Sequence, residues 1–249
     1  MKARLDVVLV DRGLVATRER ARALILAGDV RINGQVALKA GTGVADDAEV
    51  TLTSPDHPYV GRGGLKLAHA LSVFAIDVTG RRGLDIGAST GGFTDVMLQR
   101  GAARVVALDV GHGQLDWKIR SDPRVVTLER VNARALTPAD LPVDLRTFGI
   151  VTIDVSFISL RHILPVVPVL LEPGADVIAL VKPQFEARRE EVGKGGIVRD
   201  AAIHTRVATE ITAAADALGL ASAGLIDSPI TGMEGNREFL LHLRPTESQ

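Results

Sequence analysis

The sequence predicts an α/β protein: a mainly parallel sheet covered by helices on both faces, with a small α+β module in front. Three observations carry this. From residue 83 onward, apolar β-rich runs alternate with helical segments, as in a parallel sheet with helical crossovers. Asp85-Ile-Gly87-Ala88-Ser89-Thr-Gly91-Gly92-Phe93 is a glycine-rich turn between a strand and a helix. Ahead of both, residues 1–53 hold two short helical stretches and the tight-turn signal Asn33-Gly34.

In chain order, Leu5, Val8 and Leu9 share one face of a short helix that Gly13 ends. Thr17 is an N-cap for a second helix running to Ala27, with Gly28 as its stop. Arg18 and Arg22, four apart, share an exposed face of that helix. Val30–Ile32 reads as a strand, and Val44 and Glu49–Leu52 supply further short ones. Residues 54–64 hold two prolines and three glycines and read as a linker. A helix from about Leu65 to Phe74 carries Lys66 and opens the large domain, 65–249. Its expected strands are Gly83–Gly87, Arg104–Val110, Val125–Leu128, Ile150–Val155, Asp176–Val181, Ala221–Asp227 and Glu238–Leu243. Helices are expected over 92–100, 114–119, 160–171 and 201–218. The last two strands lack a helical crossover and read as an antiparallel end.

Hydrophobic residues make up 46% of the 249, enough for a buried core. The absence of cysteine excludes disulfides, thiolate metal sites and cysteine nucleophiles, and fits a reducing, cytoplasmic setting. No uncharged apolar run approaches the ~18 residues of a membrane span, so no stable membrane association is expected. The net charge of −1 hides an asymmetry: residues 1–44 carry eight Lys/Arg against four Asp/Glu, and the rest is acidic. A local basic excess points to a polyanion such as RNA, with Arg4, Arg18, Arg20, Arg22 and, in the linker, Arg62 as candidate contacts.

The glycine turn departs from the dinucleotide Gly-x-Gly-x-x-Gly pattern, and no phosphate-binding Gly-Lys-Ser/Thr loop is present. Asp109 ends the next strand, twenty-two residues after Gly87, where nucleoside-binding folds place a ribose-binding acid. Asp85 just before the turn opposes a pyrophosphate and suits a cationic ligand. S-adenosylmethionine (SAM) meets these conditions: a ribose, an adenine, an ammonium group and no phosphate. Ala88, Ser89 and Phe93 belong to its expected cradle, with Val110 beside the ribose acid and Asn132 toward adenine.

Asp154 and Lys182 end two apolar runs, Ile153-Asp154-Val155 and Leu180-Val181-Lys182. Polar groups at carboxyl ends of parallel strands face the ligand crevice. With Lys66 and Glu238 they form a Lys-Asp-Lys-Glu set. Two lysines around a weakly acidic hydroxyl stabilise developing alkoxide charge during in-line transfer to an electrophilic methyl. Lys182 is assigned as base and Asp154 as its orienter, near the reacting methyl. Lys66 holds the hydroxyl or a phosphate, and Glu238 supports the lysines.

From about residue 62 to 243 the chain resembles the FtsJ-like ribose 2′-O-methyltransferases, whose tetrad aligns with Lys66, Asp154, Lys182 and Glu238. Residues 4–53 resemble the S4 RNA-binding domain through Arg4-Leu5-Asp6, Gly13, Thr17-Arg18, Ala21, Gly28, Val30 and Asn33-Gly34. Joined through Gly61-Arg-Gly-Gly-Leu-Lys66-Leu67, the two resemble the TlyA, or hemolysin A, family. That resemblance implies a Rossmann-like SAM-dependent fold and 2′-O-methylation of cytidine in ribosomal RNA, with ribosomal subunits as substrate. His57-Pro-Tyr-Val60 differs from the Arg-x-Trp-Val form of one branch, so reaction type is fixed more closely than substrate range. Two further classes remain open at this point: a non-catalytic ribosome-assembly factor, and a membrane-lytic protein. The charged loop Glu186–Asp200 reads equally as a cover over RNA or a solvated connection.

Overall fold

The computed structural model describes residues 2–26, 28–53, 57–232 and 234–246. They form two compact units, Met1–Arg62 and Gly63–Gln249.

In the first unit β1 (Lys2–Arg4) leads directly into α1 (Leu5–Asp11), and α2 (Arg18–Leu26) follows. Ala27, the expected end of the second helix, and residues 54–56 of the expected linker lie outside the described residues. Then come β2 (Val30–Ile32), β3 (Gln35–Val36), β4 (Gly43–Ala45) and β5 (Val50–Leu52). β1 pairs antiparallel with β4, and β2 lies between β3 and β5. Asn33 and Gly34 both have positive φ, which the two-residue turn joining β2 to β3 requires. Leu5, Leu9, Ala21, Leu24, Ile25 and Val30 close the core against Val44 and Val50. The unit extends past β5. Arg20 donates to the carbonyl of Tyr59 at 2.7 Å and to that of His57, and His57 is buried. Residues 57–62 thus belong to this unit.

The second unit opens with α3 (Gly63–Val73), then β6 (Arg82–Ile86), α4 (Gly92–Gln99), β7 (Arg104–Asp109) and α5 (Trp117–Arg120). β8 (Val125–Glu129), β9 (Phe148–Ile153), β10 (Leu171–Val181) and α6 (Pro183–Glu186) follow. α7 (Ala201–Asp216), β11 (Leu220–Asp227) and β12 (Phe239–Pro245) complete it. The seven strands run in the order β11-β12-β10-β9-β6-β7-β8. β10, β9, β6, β7 and β8 are mutually parallel, and β12 and β11 add an antiparallel edge. β6, β9 and the second half of β10 are buried almost throughout, as strands covered on both faces must be.

The helix expected over 160–171 is absent. Three single 3₁₀ turns stand there instead, Leu160–His162, Leu164–Val166 and Pro168–Leu170. Pro165 and Pro168 each lack the N–H that an α-helix interior needs. The apolar side chains still reach the core: Leu160, Ile163, Leu164, Val167 and Leu170 are all buried. The expected helix at 114–119 shrinks to α5, because Asp116 caps it by accepting from the Lys118 N–H.

Candidate active site

The turn after β6 is built from backbone. Gly87 and Gly91 have φ of 87° and 93°, conformations that glycine adopts at little cost. The amides of Gly87 and Ala88 both donate to the carbonyl of Leu108, locking the turn onto β7. A Cβ at Gly87 would lie 2.5 Å from the carbonyl oxygen of Asp154, and one at Gly91 would lie 2.9 Å from Leu115. The turn therefore passes closely over the end of β9. Gly92 and Phe93, which follow it at the start of α4, are buried.

Asp109 knits the same region. One oxygen accepts from the Ser89 amide at 2.8 Å, and the other from the Gly111 amide at 2.7 Å. A carboxylate oxygen can accept more than one donor, so two sugar hydroxyls can still be received. Val110 beside it is 73% exposed, an apolar surface free for a flat ring. Asn132 spends its side-chain oxygen on capping the turn at Arg134 and is otherwise exposed. Asp85 is fully buried, with Thr94 donating to one oxygen at 2.7 Å and Thr152 to the other at 3.0 Å. Burial, with a smaller push from the charge of Asp154, raises its pKa to about 7. Its carboxyl braces the turn from below.

Around this turn the four polar residues meet as two ion pairs. Lys182 Nζ lies 2.6 Å from Asp154 Oδ1 and donates to Ser156 Oγ at 2.9 Å. Lys66 Nζ lies 2.6 Å from Glu238 Oε2, and both side chains are buried. Strand register brings them together. Asp154 and Lys182 directly follow the neighbouring strands β9 and β10, and Val181 stands opposite Phe239, the residue after Glu238. The start of α3 closes the set: a Cβ at Gly63 would sit 3.9 Å from the second oxygen of Asp154. Two cations and two carboxylates thus share the strand ends beside the glycine turn.

Two residues of this site escape a reading of sequence alone. Ser156 is the second partner of Lys182. Phe157 is 91% exposed and has φ of 63°. A bulky residue in that conformation is strained, and strain of this kind gathers at functional sites. Its ring leans on Phe185, with centroids 5.2 Å apart. The available signal was a phenylalanine three residues after each strand-end polar group, Asp154 and Lys182, in a chain with only 3% aromatics.

In the first unit, Arg4, Arg18 and Arg22 converge on buried Asp6 at 3.0, 2.9 and 3.2 Å. The Arg4 hydrogen bond, despite some desolvation and with Arg18 and Arg22 adding to it, holds that carboxyl well below the usual range. Each arginine stays about half exposed, so one buried acid orients a patch with net positive charge. Arg20 and Arg62 differ from this. Arg20 is turned onto His57 and Tyr59, and Arg62 lies 3.8 Å from Asp29 with its side chain mostly buried. Both serve the packing of their own unit, and neither presents an open guanidinium to a partner.

A backbone-built glycine turn next to paired lysines and carboxylates, on a mainly parallel sheet with an antiparallel edge, defines a Rossmann-like methyltransferase. The FtsJ-like methyltransferase model matches residues 59–245, and the S4 domain model matches residues 3–50. The chain belongs to the FtsJ-like methyltransferase family and carries an S4 domain ahead of the catalytic one. It is 50% identical over 246 residues to the 16S/23S rRNA (cytidine-2′-O)-methyltransferase TlyA of Mycobacterium tuberculosis, covering 98% of this chain and 90% of that one. Hemolysin A of Brachyspira hyodysenteriae is 38% identical, with 96% and 98% covered. A solved Streptococcus thermophilus structure, described as a candidate hemolysin, superposes with a TM-score of 0.78 at 48% identity, covering 99% and 90%. No helix among the described residues is long and apolar enough to cross a membrane.

Proposed function

We propose that this protein transfers a methyl group from SAM to the ribose 2′-hydroxyl of cytidine in ribosomal RNA, on ribosomal subunits in the cytoplasm. The carrying observation is the pair of lysine–carboxylate contacts at the strand ends, directly beside a turn that leaves no room for side chains. When bound, SAM supplies a methyl on a sulfonium, already strongly electrophilic. Gly87 and Gly91 let the backbone approach it, Asp109 receives the ribose hydroxyls, and Val110 and Asn132 meet the adenine.

The rest of the work falls to the chain. Asp154 holds Lys182 by its ammonium group, and Ser156 fixes the same nitrogen from a second direction. In its neutral form Lys182 takes the hydroxyl proton as the oxygen attacks. Lys66, held by Glu238, faces the developing negative charge. Phe157 offers an aromatic face on which the target base can stack once out of its helix. Arg4, Arg18 and Arg22 contact phosphates and so select folded RNA.

The test is nucleoside analysis. Purified protein, SAM and ribosomal subunits are incubated, and the RNA is digested to nucleosides. The expected product is 2′-O-methylcytidine. A base-methylated nucleoside, or no product from any subunit preparation, would contradict the proposal.

A further inference from the structure

The loop between α6 and α7 is not a slack connection. The amide of Gly193 donates to Ile197 O at 3.0 Å, and that of Gly196 donates to Gly193 O at 3.1 Å. Gly195 and Gly196 have φ of 79° and 73°. The result is a closed turn with Lys194 exposed near its tip. Buried Asn236 clamps its base: the side-chain oxygen accepts from Val198 N at 3.0 Å, and the amide donates to Gly196 O at 2.9 Å.

Asn236 also reaches toward the catalytic set. Its carbonyl accepts from Gly232 N at 2.8 Å, and a Cβ at Gly232 would lie 2.6 Å from Glu238 Oε1. One buried residue thus joins the lysine-tipped turn to the segment that positions Glu238. Arg199 lies against Gly193, its guanidinium 3.5 Å from where a Cβ would stand. Glu234 is the neighbouring acid, 2.9 Å from the Cβ position of Gly196. Among the described residues neither Lys194 nor Arg199 has an ion-pair partner. Ordering a turn costs conformational entropy, and a buried amide is stable only with its hydrogen bonds made. A connection that merely had to span two helices needs neither.

We propose that the Gly193–Gly196 turn, clamped by Asn236 beside Glu238, holds Lys194 as a fixed contact for a backbone phosphate of the RNA strand entering the crevice. The proposal rests on the RNA-methylation reading above. Gly195, with nothing within 4 Å of where a Cβ would stand, lets a phosphate oxygen come close to the backbone, and Lys194 supplies the charge. Asn236 is a positioning residue: it acts through the turn and touches no substrate.

Co-sedimentation of the full chain with purified ribosomal subunits across a salt series tests this. Lys194→Ala should reduce the slope of log affinity against log salt by about 0.7–0.9, the release of counterions from one phosphate. Lys194→Arg should keep the wild-type slope. Asn236→Ala should lose the same increment with Lys194 intact, while its SAM affinity by calorimetry stays unchanged. If Asn236→Ala does not fold, the two Lys194 variants decide alone. An unchanged slope for Lys194→Ala would overturn the proposal. Because the readout is binding, a changed slope in a protein that transfers no methyl to RNA would overturn the methylation reading and leave the contact standing.

Discussion

Asp85 shows how much a single buried group decides here. Its carboxyl lies under the glycine turn with both oxygens on threonine hydroxyls, and its pKa is raised to about 7. In an unfolded chain it titrates near 3.9. Between those values the folded protein keeps a proton that the unfolded chain has released. Its contribution to stability is therefore full below about pH 4 and falls as pH rises toward about 7. Asp85→Asn removes that titration at nearly constant shape. In denaturant melts at pH 5 and pH 8, the variant should gain on wild type as pH rises. An equal difference at both pH values would mean that Asp85 ionises normally.

The lysines separate structure from chemistry. Lys66 and Glu238 are buried together, so Lys66→Ala leaves a carboxylate without its partner. The expected loss is about 3–5 kcal/mol in a denaturant melt. Replacing both, as Lys66→Met with Glu238→Leu, should recover most of that stability and none of the methyl transfer. Lys182→Arg keeps the charge, but arginine does not give up its proton near neutral pH. It should lose transfer and keep SAM affinity. An active arginine variant would remove the base role from Lys182. Asp109→Ala should weaken SAM by about 1–3 kcal/mol in calorimetry, the cost of a lost hydrogen bond that leaves a partner unpaired.

Among elements, the turn between β6 and α4 is the least tolerant. Gly87→Ala combines a left-handed φ with a Cβ 2.5 Å from the Asp154 carbonyl oxygen, a backbone atom. Either β9 moves or the turn opens. Both outcomes should abolish SAM binding and lower the unfolding midpoint; wild-type calorimetry for this variant would move the cofactor elsewhere. This element was legible in sequence because Gly87, Gly91 and Gly92, directly after an apolar run, mark a tight turn that side chains cannot fill. The segment 160–171 was not. Its apolar residues have helical spacing, and they are buried as a helix would bury them, but Pro165 and Pro168 turn the backbone into 3₁₀ steps. Periodicity reports which face is buried, and the prolines report which backbone can bury it. The strand β1 carries no signal at three residues. The inward turn of Arg20 was equally hidden, because a basic residue on a helix face looks the same whether it meets RNA or two carbonyls.

At the scale of the whole molecule, charge divides along the chain. The basic excess lies in residues 1–44, where Asp6 gathers three arginines, and the glycine turn and proposed catalytic set lie wholly beyond Gly63. Asp6 holds its depressed pKa only while those arginines stay close. Its stabilising effect is present above the unfolded value near 3.9 and is lost as pH falls. A chain beginning at Gly63 should fold and bind SAM, since every residue of the proposed cofactor site is present. It should fail to methylate ribosomal subunits at the wild-type concentration and salt, for lack of the arginine patch. Full methylation by that fragment would show that the large unit recognises RNA unaided.

The most direct measurement pairs two readouts on one preparation of Lys182→Ala: SAM affinity by calorimetry, and methyl transfer to purified ribosomal subunits. In the proposed mechanism Lys182 meets the reacting hydroxyl and not the glycine turn, so its loss should leave ground-state binding of SAM in place and remove the transition-state interaction. The expected result is SAM binding close to that of wild type with no 2′-O-methylcytidine formed. Transfer at the wild-type rate would contradict the assignment of this lysine–carboxylate site as the catalytic centre.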